Sequence, residues 1–126
     1  MRLPAEPIAP ALARAGIRGT TKALPERVAA DLALLVTEVV ANSVEHATTS
    51  LGDEIVVRVY VDDRVRVEVD DRGPGFDAVG PVEPDTVAAS GWGLYLVDSL
   101  SAAWGVDSTD GGTTTVWFEL DPASER

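Results

Sequence analysis

The chain contains no cysteine, which excludes disulfides, thiolate zinc sites and cysteine nucleophiles and fits a reducing compartment. It has no apolar run of about 18 residues, the length a bilayer-spanning helix needs. Its start, Met1-Arg2-Leu3-Pro4-Ala5-Glu6-Pro7, carries no hydrophobic region of signal-peptide type, so a cytoplasmic protein with no membrane partner is expected. Basic residues are scarce: 10 Lys and Arg stand against 21 Asp and Glu, for a formal net charge of −11. That field repels a phosphate backbone and argues against direct nucleic-acid binding, while a basic protein partner is easier to accommodate. It also means that the phosphates of any bound nucleotide must be neutralised by metal ions and backbone amides. Repeats and low-complexity segments are absent, and 126 residues make one domain with room for a core and little spare length.

What is present centres on Glu38 to Ala47, Glu-Val-Val-Ala-Asn-Ser-Val-Glu-His-Ala. It lies in the second half of an amphipathic run whose apolar positions, Val28, Leu32, Leu35, Val36, Val39, Val40, Val44 and Ala47, have the spacing of one buried helix face. Pro25 and first-turn Glu26 mark its start, and a helix to about Ala47 is expected. Glu38, Asn42 and His46 step by four residues and form a polar stripe beside the apolar face. Asn42 offers a neutral oxygen to a hard cation such as magnesium, and Glu38 is placed to hold and deprotonate a water or hydroxyl. Taken alone, the same residues also read as solvated helix polars, with His46 at the negative end of the dipole.

Residues 1 to 24 are punctuated by Pro4, Pro7 and Pro10, with a short helix from Ala11 to Ile17 closed by Gly16 and Gly19. Arg14 and Arg18, four apart, form a basic strip for phosphate or an acidic partner, or are ordinary solvated arginines. Beyond the loop at Thr48 to Asp53, Glu54 to Val61 reads as a strand. The Asp62-Asp63 turn leads to a second, with Val65, Val67 and Val69 alternating against Arg64, Arg66, Glu68 and Asp70. Asp71-Arg72-Gly73-Pro74-Gly75 follows directly. A carboxylate at a strand end and two glycines let backbone approach a flat ligand while the acid accepts a hydrogen bond from an amino group, although a plain turn reads the same way. Asp77 to Ser90, with Gly80, Pro81 and Pro84 but no Lys or Arg, reads as a mobile loop. Gly91-Trp92-Gly93-Leu94 then opens a helix to about Ala103, whose N-terminal N–H groups are suited to phosphates. Strands from Trp104 to Ser108 and Thr113 to Leu120, joined by an Asp110-Gly111-Gly112 turn, complete the chain before a polar tail.

The ordered set Glu38/Asn42/His46, Asp71-x-Gly73-x-Gly75, Gly91-x-Gly93-Leu94 and a final threonine-bearing strand resembles the GHKL ATP-binding superfamily, over about residues 25 to 120. Gyrase-type, heat-shock-chaperone, histidine-kinase and MutL ATPases belong to it. The resemblance implies a Bergerat-type α/β (α+β) two-layer sandwich, with a mixed, mostly antiparallel sheet covered on one face by helices. The short length, the hairpin between the first two motifs, and the Trp104-Gly105-Val106 and Val116-Trp117-Phe118 phrases look most like the anti-sigma-factor serine/threonine kinase branch.

By that resemblance the cofactors are ATP and Mg2+. Glu38 is the catalytic base or water-orienting acid and Asn42 the magnesium ligand. Asp71 reads the adenine amino group, Gly73 and Gly75 admit the base, and Gly91 and Gly93, followed by Leu94, form the phosphate-contacting hinge. Thr114 helps bind adenine through water. The family usually has glycine just before that threonine, whereas here Thr113 intervenes after Gly112, so either the turn is one residue longer or the register shifts by one. The implied partners are a sigma factor and an antagonist protein, with dimerisation left open. Two functions follow: a kinase regulating transcription by partner switching, or a nucleotide-sensing binding module without phosphoryl transfer. A loop without Lys or Arg favours the second, since such a cation commonly assists transfer.

Overall fold

Pro25 fixes a helical φ and Glu26 complements the dipole, and from Glu26 the longest helix (Glu26–His46) runs for 21 residues, about 31 Å. Its stripe of Val28, Leu32, Leu35, Val36, Val39 and Val40 is fully buried, as the periodicity predicts. The computed structural model describes residues 1–46, 53–72, 91–108 and 113–123. Five strands, β1 (Arg2–Pro4), β2 (Glu54–Val61), β3 (Val65–Arg72), β4 (Ala103–Ser108) and β5 (Thr113–Leu120), form one sheet in the order β1-β2-β3-β5-β4. Every pairing among the described residues is antiparallel. The helices are α1 (Ala9–Gly16), α2 (Arg18–Lys22), α3 (Glu26–His46) and α4 (Gly91–Leu100).

Alternation along the strands sorts the sheet into two faces. Ile55 and Val57 of β2, Val65, Val67 and Val69 of β3, and Val116, Phe118 and Leu120 of β5 are buried with the apolar stripe of α3. Ala9, Ala13 and Ile17 from the α1 segment and Val97 of α4 complete the core. The architecture is therefore the two-layer sandwich that the motifs imply, with one sheet face under helices. No helix among the described residues is long and apolar enough to cross a membrane.

Several elements differ from the sequence reading. β1 was not legible, because three residues become a strand only by pairing Leu3 with Ile55 across the sheet. Gly19, expected to close a helix, lies inside α2. A glycine costs roughly 1 kcal/mol there, but burial of Ile17 beside it anchors the segment. β3 continues through Asp71 and Arg72, which pair with Thr114 and Thr113, so both belong to the strand rather than to the expected turn. α4 ends at Leu100 rather than Ala103. Ser101 caps it through its hydroxyl and its N–H, both donated to the Val97 carbonyl. The Ala102 N–H is already donated to Glu119 O of β5 at 2.8 Å. The loop read at Thr48–Asp53, apart from Asp53 itself, the loop at Asp77–Ser90 and the turn at Asp110–Gly112 lie outside the described residues.

Candidate functional site

The dipeptide Asp70-Asp71 is divided by strand alternation. Asp70 points to the uncovered face, where it accepts a hydrogen bond from Thr115 Oγ1 at 2.6 Å and pairs with Arg58 Nη1 at 2.8 Å. Asp71 turns to the helix side and is 5% exposed. Directly opposite it on β5 stands Thr114, 1% exposed. Opposed residues of an antiparallel pair put their side chains on the same face, with Cβ atoms about 5 Å apart. Thr113 instead pairs with Arg72 and is only half-buried. The register thus makes Thr114, not Thr113, the inward threonine.

Asn42, on the C-terminal half of α3, is 5% exposed, and Ser43 beside it 1%. Together with Asp71, Thr114 and Asp31 they are the buried polar residues among those described. Asp31 belongs elsewhere, on the first turns of α3 near Arg27, 3.8 Å away. Buried polar side chains are uncommon and need partners, so Asn42, Ser43, Asp71 and Thr114 mark the polar part of the interior. The chain leaves α3 at His46 and enters β2 at Glu54. β2 begins where β3 ends and β5 begins, since Val56 pairs with Asp70 and Asp70 with Thr115. The chain thus passes from the C-terminal end of α3 to the end of the sheet that carries the Asp71–Thr114 pair.

Glu38 lies one turn before Asn42 and is half-buried. Gly91, Gly93 and Leu94 form the first turn of α4. The other end of α4 meets the start of α3, where Ser99–Ala102, Arg27 and Asp31 line a small cavity of about 120 Å³, so the glycine turn begins away from that corner. Gly73 and Gly75 lie outside the described residues, and His46 is the last residue of α3. The structure therefore brings Asp71 and Thr114 into direct opposition. It places Glu38 and Asn42 one turn apart on the helix that packs over β2, β3 and β5.

A cleft of about 320 Å³ opens at the same end of the sheet, between Arg2, Glu54, Val56, Asp71 and Thr113. Most of its walls come from the uncovered face, so it borders Asp71 from outside and is not the helix-side space into which Asp71 and Thr114 point. No group of three or more His, Cys, Asp or Glu suited to a metal occurs among the described residues.

The uncovered face carries a charge lattice that sequence reading missed. Arg58 pairs with Glu68 at 3.1 Å as well as with Asp70. Arg66 joins Glu68 at 2.9 Å and Glu119 at 2.8 Å, and Arg64 meets Glu119 at 3.1 Å. The arginines hold the Glu68 and Glu119 carboxyls below the usual range, first through hydrogen bonds from Arg66 to each. Hydrogen bonding to Asp70 is the largest cause raising Arg58, and bonding to Glu68 that raising Arg66. The Arg66 guanidinium also lies 4.3 Å from the Trp117 ring centroid. The signal was there in the alternating Arg and Glu of β3, but it showed only which residues face outward, not their partners on β2 and β5.

Residues 3–119 match the histidine kinase-like ATPase domain family, and the chain belongs to that family. It is 32% identical over 130 residues to the serine-protein kinase RsbW of Bacillus velezensis, covering 92% of this chain and 81% of that one. It is 31% identical over 114 residues to the serine-protein kinase RsbW of Listeria innocua, covering 79% and 73% respectively. Among solved structures, the histidine kinase domain of the Erythrobacter litoralis EL346 blue-light activated histidine kinase aligns with a TM-score of 0.61 at 26% identity. That alignment covers 79% of this chain and 46% of the other, so this chain spans under half of the larger protein. The GHKL resemblance and the two-layer α+β fold drawn from the motifs both stand.

Proposed function

We propose that the chain is an ATP-dependent serine/threonine protein kinase of the anti-sigma-factor type, acting on an antagonist protein and holding a sigma factor in a partner-switching circuit. The observation that carries this reading is the buried Asp71 opposite the buried Thr114, beside a helix bearing Glu38 and buried Asn42. A carboxylate fixed inside the sheet end accepts a hydrogen bond from an exocyclic amino group, as adenine presents. Thr114 completes that contact through water, Gly73 and Gly75 admit the flat base, and the amides around Gly91 and Gly93, with Leu94 next in the same turn, bind the phosphates. The similarity to serine-protein kinases over most of both chains supports the choice of reaction.

The donor set suits magnesium in one specific way. Magnesium binds proteins through one or two oxygen ligands and completes its shell with phosphates and water. A single buried amide oxygen at Asn42, without a carboxylate cage among the described residues, fits that habit. Bound there, the ion would neutralise phosphate charge that the acidic chain cannot. Glu38 takes the proton of the acceptor hydroxyl as its oxygen bonds to the terminal phosphorus and ADP departs.

The second reading is a nucleotide-sensing module that grips its partner without transferring phosphate. The absence of Lys and Arg between Asp77 and Ser90 favours it, because no cation from that segment can assist charge development. Transfer of labelled phosphate from ATP to an antagonist-protein substrate separates the two. Glu38→Ala should lower transfer at least about 100-fold while ATP binding persists. Transfer unchanged in that variant removes Glu38 from the base role, and no transfer by the parent chain with any acceptor selects the sensing module.

A further inference from the structure

Three apolar rows of the core each end in a buried polar residue. On β3 the helix-side row Val65, Val67 and Val69 is followed by Asp71, and on β5 the row Leu120, Phe118 and Val116 is followed by Thr114. On α3 the stripe through Val36, Val39 and Val40 is followed by Ser43, four residues beyond Val39 and three beyond Val40, hence on the same side of the helix. α3 starts beside the far end of β5, where Val28 and Leu120 line one small cavity, and it packs over β2, β3 and β5. Ser43 lies about 22 Å along the helix from Val28, and Thr114 about 20 Å along the strand from Leu120. From the end of α3 the chain passes to β2, which starts at the Asp71–Thr114 end of the sheet. α3 therefore runs from the Leu120 end of the sheet to the Thr114 end, and carries Ser43 there on its sheet-facing side.

Ser43 is 1% exposed, and among the described residues its Oγ is the buried side-chain polar atom without a hydrogen-bond partner. Helical hydroxyls commonly find a local partner by donating to the carbonyl four residues back. Thr37 does so to Ala33 O at 2.7 Å, and Ser101 to Val97 O. Ser43 makes no such bond to Val39, although an alanine at this position would avoid the cost of a buried unpaired group altogether. Its donor capacity is thus unused by any described residue, beside Asn42 and on the side of α3 that faces Asp71 and Thr114.

We propose that Ser43 is a base-reading residue of the nucleotide site, donating its hydroxyl hydrogen, directly or through one water, to the ring nitrogen beside the amino group that Asp71 accepts from. The inference rests on the nucleotide reading of this site. On its Watson–Crick edge adenine presents a donor, the amino group, next to an acceptor, the ring nitrogen N1. An ionised carboxylate only accepts, so Asp71 serves the amino group and not the nitrogen, whereas a hydroxyl donates. Asp71 and Ser43 together match the donor–acceptor pair. Unpaired within the protein, the hydroxyl gains its partner from the base, so a serine here lowers the stability of the protein alone and raises its affinity for the nucleotide.

The test titrates ATP and 1-deaza-ATP, in which carbon replaces that ring nitrogen, into the full chain and into Ser43→Ala by calorimetry with magnesium present. The parent should bind ATP at least about threefold more tightly than the analogue. Ser43→Ala should lose that preference and bind both with the weaker affinity, while its urea midpoint without nucleotide is no lower than the parent's. A serine that only supports the fold would give the opposite pattern, a less stable variant with its ATP preference intact, and that result would overturn the proposal. ATP binding that weakens in Asp71→Asn but is equal in parent and Ser43→Ala would overturn the role of Ser43 and leave the nucleotide site standing. No binding of ATP by the parent would overturn both.

Discussion

Ser43 shows what single residues in this interior cost. Its hydroxyl is buried and has no hydrogen-bond partner among the described residues, one position from Asn42 on the same helix. An unsatisfied buried hydroxyl costs about 1–3 kcal/mol, and alanine is the better helix former by about 0.5 kcal/mol. Ser43→Ala should therefore raise the unfolding free energy by about 1 kcal/mol in urea titrations. A loss of stability instead would mean that the hydroxyl is satisfied in solution. Residue-level legibility was uneven for a physical reason. Asp71 stood out by following a strand and preceding two glycines, yet only the cross-strand register separates it from Asp70, and Thr114 from Thr113. A side chain's face depends on where the strand is paired, and a one-residue slip inverts every assignment.

At the scale of elements, the uncovered sheet face is held by the Arg58, Arg64 and Arg66 lattice and by the stack of Arg66 on Trp117. Gly105 of β4 pairs with Trp117 and lies against the indole: a Cβ there would meet its ring atoms at 2.8–2.9 Å. Gly105→Ala should displace the ring from beneath Arg66 and destabilise by about 1–3 kcal/mol, with a change in tryptophan fluorescence reporting the displacement. Stability equal to the parent would show that the ring shifts freely.

The lattice also sets an acid response. Glu68 and Glu119 have folded-state pKa values lowered by their arginines, so they stabilise the fold fully above the unfolded value of about 4.3. That contribution is lost as pH falls through the folded value. Melting temperature should drop on acidification below about pH 4.3, and Glu68→Gln/Glu119→Gln should drop less over that interval. A parallel fall in both proteins would locate the acid sensitivity elsewhere. Elements with strong internal periodicity, α3 and β2 above all, were legible from sequence to within a residue. β1 and α2 were not, because both exist through contacts made far along the chain, Leu3 with Ile55 and Ile17 with the core.

For the whole molecule, the central tension is between a chain of net charge −11 and a ligand carrying several negative charges. On the proposed reading the buried Asp71 would meet a neutral amino group rather than phosphate, while Arg58, Arg64 and Arg66 are committed to ion pairs on the uncovered face. On that reading binding depends on magnesium and on the Asp71 acceptor. The most direct test is calorimetric titration of ATP, with and without magnesium, into the parent chain and Asp71→Asn. The substitution keeps shape but replaces a charged acceptor, and hydrogen bonds to charged groups contribute about 1.5–3 kcal/mol. The account predicts magnesium-dependent binding in the parent that weakens by about tenfold to a hundredfold or more in Asp71→Asn. Equal affinity in the two proteins, or no binding by the parent at millimolar ATP, would contradict it.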